Sequence, residues 1–315
     1  MKRLLALFTL LSILLTACGA AGPATKIITL KIAVIPVIDT LPMFVAQSEG
    51  LFEKNNIKVE LVPVASAPER DQVIQAGQVD GTLNETLAVM LFNKQKVQLQ
   101  AVRYGLMATE NSGHFFILTS GKSGITEVDG LKGVEIGISQ GTIIDYVTTR
   151  LLESRGFAPD DIKTIAVPRI PDRMSLLASG ELKAAVMPDP LAALAVQQGA
   201  RIILDDTSNP KLGASVISFR KEIIEAYPEA VKAFLKAIET AVELINANPN
   251  KYSNVLVENK IVPPALIGKY VIPKFPVKGV PSEAEWNDVL AWAQAKTILS
   301  APVSYADSVN ATFLP

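Results

Sequence analysis

Short apolar segments alternate with helical patterns along much of the chain. Residues 28–36 and 57–62 are rich in β-branched side chains and predict buried strands. After the second of them, Ser66 and Glu69 have the spacing of a capping box, and Gly77 ends that helix. Strands that alternate with helices in this way predict sheets whose strands are mostly parallel.

The pattern of strands and helices is repeated once, roughly a hundred residues further along the chain. Residues 134–138 predict a strand, and Pro171 and Gly180 bound a helix as Pro68 and Gly77 do in the first copy. Strand order, proline positions and glycine positions agree together, which indicates two similar α/β units.

Two apolar segments lie between the units. Residues 114–119 and 214–219 predict crossover strands that form a hinge. We therefore expect an α/β protein with two lobes, one built from residues 26–112 and 214–315 and the other from residues 113–213. Ligands of such sheets bind beyond the carboxyl ends of the strands, which places a cleft between the lobes.

The last third of the chain is mostly helical in pattern. One helix begins at Pro228 and ends near Asn248, with an apolar stripe typical of a buried face. A second spans residues 282–295 and contains Trp286 and Trp292, which we interpret as packing anchors. We expect this helical segment to pack on the first lobe.

Composition narrows the class of protein. The 315 residues contain 30 basic and 31 acidic side chains, and the pI is near 6.0. This balance argues against a nucleic-acid binder, which carries a basic excess. Hydrophobic residues make up 49% of the chain, enough for a sizeable core.

The chain contains one Cys and one His. One Cys excludes an intramolecular disulfide and a cysteine-based metal cluster, and one His leaves no zinc site of several imidazoles. A single Ser-His-Asp arrangement remains formally open. We interpret His114 as a hinge or core residue and expect no metal, no cofactor and no catalytic activity.

The N-terminus has the features of an export signal. Lys2 and Arg3 precede the apolar residues 4–15, a stretch shorter than the about 20 residues that span a bilayer. The sequence Leu-Thr-Ala-Cys that ends at Cys18 resembles the bacterial lipoprotein box. This resemblance implies a signal peptide of residues 1–17, a lipid on Cys18 and a tether of residues 18–25.

Four predicted turns point at the cleft, each at the end of a strand and the start of a helix. They contain the candidate ligand-binding residues Asp39, Thr40, Asn84, Glu85, Thr86, Ser139, Gln140, Gly141, Thr142 and Asp189.

These turns offer two kinds of hydrogen-bonding group. Ser139, Gly141 and Thr142 supply donors for a ligand oxygen at a helix start. The acids of the other three turns supply acceptors for ligand N–H groups, although each could instead be a helix cap. A site with both kinds of group favours an amine-bearing or heterocyclic ligand over nitrate or a simple sulfonate.

Two further expectations concern charge. The cleft is acidic unless Arg103, Arg169 or Arg173 neutralises its carboxylates. Asp145, one turn inside a helix, is expected on the outer face of that helix.

Several short motifs follow one another along the chain between residues 28 and 248. They are Leu41-Pro42 with Glu49-Gly50-Leu51-Phe52, Gly77-Gln78-Val79-Asp80-Gly81, Asp129-Gly130-Leu131-Lys132-Gly133, Ser139-Gln140-Gly141-Thr142, Pro188-Asp189-Pro190 and Pro228-Glu229-Ala230-Val231. Together they resemble the substrate-binding proteins of the nitrate, sulfonate, taurine and thiamine-precursor importers.

That resemblance implies a type II periplasmic-binding-protein fold outside the cytoplasm. The partners it implies are a small-molecule ligand, an ABC permease with its ATPase, and the membrane through the Cys18 lipid alone. No nucleic-acid partner is expected, and the chain is expected to be a monomer.

Three alternatives remain open at this point. One is a binder of sulfonate, taurine or nitrate anions. Another is an enzyme on the same fold, of the pyrimidine-synthesising or menaquinone-pathway type, although the Cys-rich motif of the former is missing. The third is a sensory or adhesive lipoprotein that retained the lobes and lost transport.

Replacing the thiol of Cys18 tests the lipid anchor. We expect Cys18→Ser to abolish incorporation of labelled fatty acid, because only the thiol accepts the diacylglyceryl group. Metabolic labelling followed by membrane fractionation measures this. An unlabelled wild-type protein, or a labelled Cys18→Ser variant, contradicts the anchor.

Overall fold

The structure is a computed structural model that describes residues 27–315. The expected signal peptide, the tether and Cys18 lie outside the described residues. Within residues 27–315 the chain forms ten strands, and each predicted strand lies within two residues of an observed one. The strands are β1 Ile28–Val34, β2 Ile57–Pro63, β3 Gly81–Glu85, β4 Leu99–Tyr104, β5 Phe115–Thr119, β6 Glu135–Ile138, β7 Lys163–Ala166, β8 Ala184–Pro188, β9 Arg201–Asp205 and β10 Ser215–Arg220.

The ten strands form two sheets of five with the same internal plan. Their orders are β2-β1-β3-β10-β4 and β7-β6-β8-β5-β9. In each sheet the fourth strand in the order, β10 in the first and β5 in the second, is antiparallel to both of its neighbours. Each of these two strands follows a segment that connects one sheet to the other. The prediction of two similar α/β units is therefore confirmed.

Twelve α-helices accompany the sheets within the described part of the chain. They are α1 Leu41–Ser48, α2 Leu51–Lys54, α3 Ala67–Gln75, α4 Thr86–Asn93, α5 Ile143–Glu153, α6 Ile170–Ser179, α7 Leu191–Gln197, α8 Lys221–Ala226, α9 Pro228–Ala247, α10 Ser253–Glu258, α11 Glu283–Ala295 and α12 Tyr305–Ser308. In residues 27–315, no helix combines the length and the apolar character needed to cross a bilayer.

The predicted apolar stripe of α9 is buried, as its periodicity indicates. Phe234 on this stripe stacks on Phe52 with ring centroids 5.5 Å apart and meets Phe219 of β10 edge-on at 5.3 Å. Burial of such aromatic side chains is worth about 2–3 kcal/mol each, so this contact fastens α9 to the first sheet.

Helix α11 packs on the first lobe, as expected, and also contacts the second. It lies against α4, which follows the first sheet's β3, and against α5, which follows the second sheet's β6. Trp286 and Trp292 are buried there, as predicted for packing anchors. The Trp292 ring meets Tyr146 of α5 edge-on, with centroids 5.5 Å apart.

One acid on α11 holds α5 through two polar contacts. Asp288 accepts a hydrogen bond from the Tyr146 hydroxyl at 2.5 Å and forms an ion pair with Arg150 at 2.7 Å. Opening of the cleft must therefore either carry α11 with the second half or break these contacts.

Asp288→Ala removes both contacts at once, so we expect it to shift the unliganded protein toward a more open form. Small-angle scattering should give a larger radius of gyration than for the wild type. The control is Glu283→Ala, which also removes a carboxylate from α11, but from its first turn and not from the contact with α5. Equal radii for all three proteins contradict a bracing role for Asp288.

Candidate functional site

A small cavity lies where the carboxyl ends of the two sheets meet. Its volume is about 60 Å³, and residues of both halves line it. Its polar lining consists of Asp39, Arg70, Glu85, His114, Ser139, Thr142 and Ser215. Its apolar lining includes Ile35, Phe115, Ile143, Pro168, Ile170 and Pro188. Ligand pockets for larger molecules measure about 300–1,000 Å³, so such ligands require the lobes to separate.

Asp39 binds both crossover strands. It follows β1 in a short 3₁₀ turn and is buried. The Nε2 atom of His114, just before β5, lies 3.0 Å from its carboxylate, and Ser215, the first residue of β10, donates its hydroxyl to it at 2.6 Å. One carboxylate thus fixes the start of the first strand after each connection between the two sheets, β5 after one connection and β10 after the other.

The His114–Asp39 contact is an ion pair at neutral pH. Burial alone would lower the pKa of His114, but the charge of Asp39 and its hydrogen bond raise the pKa to about 9. Burial opposes ionisation of Asp39, yet the facing imidazolium and the Ser215 hydroxyl lower its pKa overall. Asp206 assists by accepting the backbone N–H of His114 at 2.7 Å.

Arg70 and Glu85 form the second charged pair of the cavity. Arg70 is 1% exposed and makes two hydrogen bonds to Glu85, at 2.8 and 3.2 Å. Its Nε atom donates to Asp71 at 2.9 Å. Burial raises the pKa of Glu85, while the Arg70 guanidinium opposes that rise. Glu85 is thus neutralised by Arg70, which was not among the three arginines considered for that role, Arg103, Arg169 and Arg173.

None of these three arginines is among the described residues that line the cavity. Arg103 pairs with the buried Glu239 at 2.7 Å, and Arg169 faces solvent beside Asp172. Arg173 is buried, and its Nη1 atom donates to the backbone carbonyl of Val167.

The turn before α5 is built from local hydrogen bonds. Thr142 caps the helix by accepting from the N–H of Ile144 at 3.2 Å, and it donates to the Ser139 carbonyl at 2.7 Å. Gly141 has φ +70°, a backbone conformation that favours glycine. Its N–H donates to the Asp145 carboxylate at 3.0 Å. Asp145 is therefore half-buried against this turn and not on the outer face of the helix.

Ser139 contributes a hydroxyl whose Oγ atom has no hydrogen-bond partner within residues 27–315. The residue is 1% exposed and lines the cavity. Buried hydroxyls normally have a partner, so this one is poised for a ligand atom.

Four of the ten predicted site residues line the cavity: Asp39, Glu85, Ser139 and Thr142. Among the other six, Thr40 bonds to the Val37 carbonyl and Asn84 accepts from Ser218. Gln140 is exposed and reaches only Thr164 at the sheet edge.

Gly141, Thr86 and Asp189 also lie outside the cavity lining. Thr86 lines a separate pocket under α11. Asp189 accepts a hydrogen bond from the Tyr270 hydroxyl at 2.6 Å. Burial raises the pKa of Asp189 to about 6, although Tyr270 opposes the shift.

Sequence reasoning missed Arg70, His114 and Ser215 as site residues. Ser215 and His114 lie in the predicted hinge segments, and their position at strand starts was the available signal. Arg70 lies in the first turn of α3, and the capping box at Ser66 had already located the start of that helix. Its position at a helix start was therefore a signal that could have placed it near the cleft.

In residues 27–315, no three acidic, His or Cys side chains are grouped so as to hold a metal ion. The cavity lining consists of two ion pairs, the hydroxyls of Ser139 and Thr142 at a helix start, the hydroxyl of Ser215 and an apolar wall. Linings with this mixture of apolar and polar groups are typical of pockets for small organic molecules.

The overall architecture is that of a known class of binding protein. The alkanesulfonate-binding protein SsuA of Xanthomonas axonopodis pv. citri, solved with bound MOPS, superimposes with a TM-score of 0.75. The alignment covers 92% of this chain and 99% of that one at 19% sequence identity. The expected type II periplasmic-binding-protein fold is thus confirmed.

Sequence comparison gives the family. Residues 24–257 match the NMT1-like family, and the chain belongs to it. A provisionally named aliphatic sulfonates-binding protein of Bacillus subtilis is 26% identical over 249 residues, which cover 77% of this chain and 74% of that protein. A provisionally named thiamine biosynthesis protein of Haemophilus influenzae is 25% identical over 230 residues, 70% of each chain.

The His114–Asp39 pair predicts a pH-dependent stability. Because the pKa of His114 is raised from 6.5 to about 9, its contribution is fully present below pH 6.5 and is lost as pH rises through about 9. The lowered pKa of Asp39 makes its contribution present above pH 3.8 and lost as pH falls below that value.

We expect His114→Gln to lower the free energy of unfolding by about 3 kcal/mol between pH 4 and 6.5, and by less above pH 9. Denaturant unfolding across this pH range measures the difference. Since His114 is the only His in the chain, its NMR signal also reports the pKa directly. A titration near pH 6.5 contradicts the buried ion pair.

Proposed function

We propose that this protein is an extracytoplasmic solute-binding protein that captures a small molecule between its lobes and delivers it to an ABC permease. The observation that carries the proposal is the cavity at the carboxyl ends of both sheets, which contains a buried hydroxyl, that of Ser139, with no partner among residues 27–315. Membership of the NMT1-like family supports the same function.

The moving parts in this proposal are the two lobes, residues 26–112 with 214–315 and residues 113–213. The hinge strands lie near residues 114–119 and 214–219. Because Asp39 contacts a residue at the start of each hinge segment, His114 in one and Ser215 in the other, the hinge axis passes close to the ligand. Closure about such an axis changes the width of the cavity with little displacement of its floor.

The ligand that we favour is an amine-bearing or heterocyclic molecule, such as a vitamin precursor. The carboxylate of Glu85 lines the cavity and has acceptor positions beyond the two bonded to Arg70. The Ser139 hydroxyl offers a donor or acceptor opposite. Apolar residues such as Phe115 and Ile143 suit a ring or a short carbon chain.

A sulfonate, taurine or nitrate anion is the second candidate ligand. The observation in its favour is that two cations, Arg70 and the charged His114, line the cavity. Both are already paired with carboxylates, which weakens their pull on a further anion. The name of the Bacillus subtilis relative, an aliphatic sulfonates-binding protein, also supports an anionic ligand.

Binding is favoured over catalysis by the order of the polar contacts. In a hydrolytic triad the imidazole lies between the hydroxyl and the acid. Here Asp39 lies between Ser215 and His114, so Ser215 donates its hydrogen to the carboxylate and is not activated by the imidazole.

The remaining parts of the proposal concern location. A lipid on Cys18 holds the protein at the outer face of the cell membrane, and a tether of residues 18–25 links it to β1. The permease and its ATPase are the protein partners, and the monomer is the working form.

Ligand class is tested by calorimetry with the aminopyrimidine cytosine, ethanolamine, ethanesulfonate and nitrate. We expect the two N–H-bearing molecules to bind more tightly than the two simple anions, with a smaller radius of gyration on binding. Glu85→Gln should weaken the N–H-bearing molecules by about tenfold, the scale of one charge-assisted hydrogen bond.

Glu60→Gln, the same change on the exposed side of β2, is the matched control and should bind like the wild type. Thermal unfolding of each variant separates lost binding from lost folding. Tight nitrate binding that survives Glu85→Gln favours the anion alternative, and no binding or closure with any molecule contradicts the proposed function.

A further inference from the structure

The internal repeat makes Arg70 and Arg173 equivalent residues. Helices α3 and α6 begin at equivalent places, and each has its proline at the second position and its arginine at the fourth. The strands that follow, β3 and β8, are both five residues long. By this alignment, Glu85 at the end of β3 corresponds to Pro188 at the end of β8.

In the first copy the guanidinium is neutralised twice. Arg70 binds Glu85 through two atoms and Asp71 through a third. The positions equivalent to these acids in the second copy are Pro188 and Met174, and neither carries charge.

Arg173 consequently has no carboxylate partner within residues 27–315. It is 0% exposed, and its one hydrogen bond there runs from Nη1 to the Val167 carbonyl at 2.9 Å. The Nε and Nη2 atoms have no partner in that part of the chain. Burial lowers the pKa of Arg173 to about 10, so the side chain is still charged at neutral pH.

The guanidinium lies at the end of the second sheet that faces the cavity. Arg173 donates to the carbonyl of Val167, and the N–H of Val167 donates to the Ile138 carbonyl at 2.8 Å. The residue after Ile138 is Ser139, whose hydroxyl has no partner within residues 27–315. Pro168 and Ile170, on either side of the loop before α6, line the cavity. In the described part of the chain, unpartnered buried donors therefore occur beside two neighbouring strand ends, the Ser139 hydroxyl after β6 and the Nε and Nη2 atoms of Arg173 near the end of β7.

An isolated buried charge is costly, and a buried charge is normally paired. Two N–H groups on one edge of a guanidinium match the two oxygens of a carboxylate, sulfonate or phosphate group. The Ser139 hydroxyl, at the end of the neighbouring strand, is a candidate third donor to the same group.

We propose that Arg173 and Ser139 form an anion-binding subsite of the ligand cavity. The ligand then carries an oxyanion group at the second lobe and an N–H group at Glu85 of the first lobe. This inference rests on the proposed function and specifies its ligand as a molecule with both groups. It requires the loop between Val167 and Ile170 to move as the ligand enters.

The experiment compares taurine, which has an amine and a sulfonate, with ethanolamine and ethanesulfonate, which each retain one of them. Calorimetry is performed on the wild type, Arg173→Met, Arg173→Lys and Arg169→Met. Arg169→Met is the matched control, because Arg169 precedes the same helix but is exposed.

We expect the wild type and Arg169→Met to prefer taurine over ethanolamine by at least about tenfold. Arg173→Met should abolish this preference and leave ethanolamine affinity unchanged, and Arg173→Lys should restore part of it. Ser139→Ala should reduce the preference without removing it.

Two results overturn the subsite while the proposed function stands. One is equal binding of taurine and ethanolamine by the wild type. The other is an equal loss of affinity for both in Arg173→Met, as a merely structural arginine would give. If no molecule binds and none reduces the radius of gyration, the subsite and the proposed function fail together.

Discussion

The structure depends on one buried carboxylate that holds both connections between its halves. Asp39 sits at the carboxyl end of β1 and contacts His114 on one crossover and Ser215 on the other. Since the imidazole is charged, the pair satisfies an acid that burial would otherwise penalise. The same contact that satisfies the polar groups on the cavity floor also positions the starts of β5 and β10, the two strands that we propose as the hinge. The proposed hinge and the proposed binding site therefore share these side chains.

Most of the fold was predictable because its signals are local. Apolar runs, the capping box at Ser66 and the glycine that ends α6 each depend on a few neighbouring residues, and the repeat reinforced them. The site was predictable only in part. Strand ends located Asp39, Glu85, Ser139 and Thr142, but the partners of the acids depend on contacts distant in sequence. Arg70 lies fifteen residues from Glu85 and His114 seventy-five from Asp39, separations that no local pattern encodes. Asp145 shows the limit within a helix, since its carboxylate turns back to cap Gly141.

The two copies of the α/β unit have diverged at the positions that matter for charge. The first copy neutralises its buried arginine with its own acids, whereas the second replaces those acids with proline and methionine. The backbone plan is retained in both, with the same strand order and the same helix starts. At the cavity, the two copies therefore present unlike groups from equivalent positions, a carboxylate at Glu85 and an apolar ring at Pro188.

The path of β1 has a mechanical consequence. The strand starts at the first described residues of the chain and ends a few residues before Asp39, and all seven of its residues are paired in parallel with β2. A pulling force applied at the N-terminal end would load these hydrogen bonds side by side, in shear, instead of opening them one after another. Strands loaded in shear resist extension far better than strands that are unzipped, so tension from an N-terminal anchor would be taken up by this ladder before it reached the hinge.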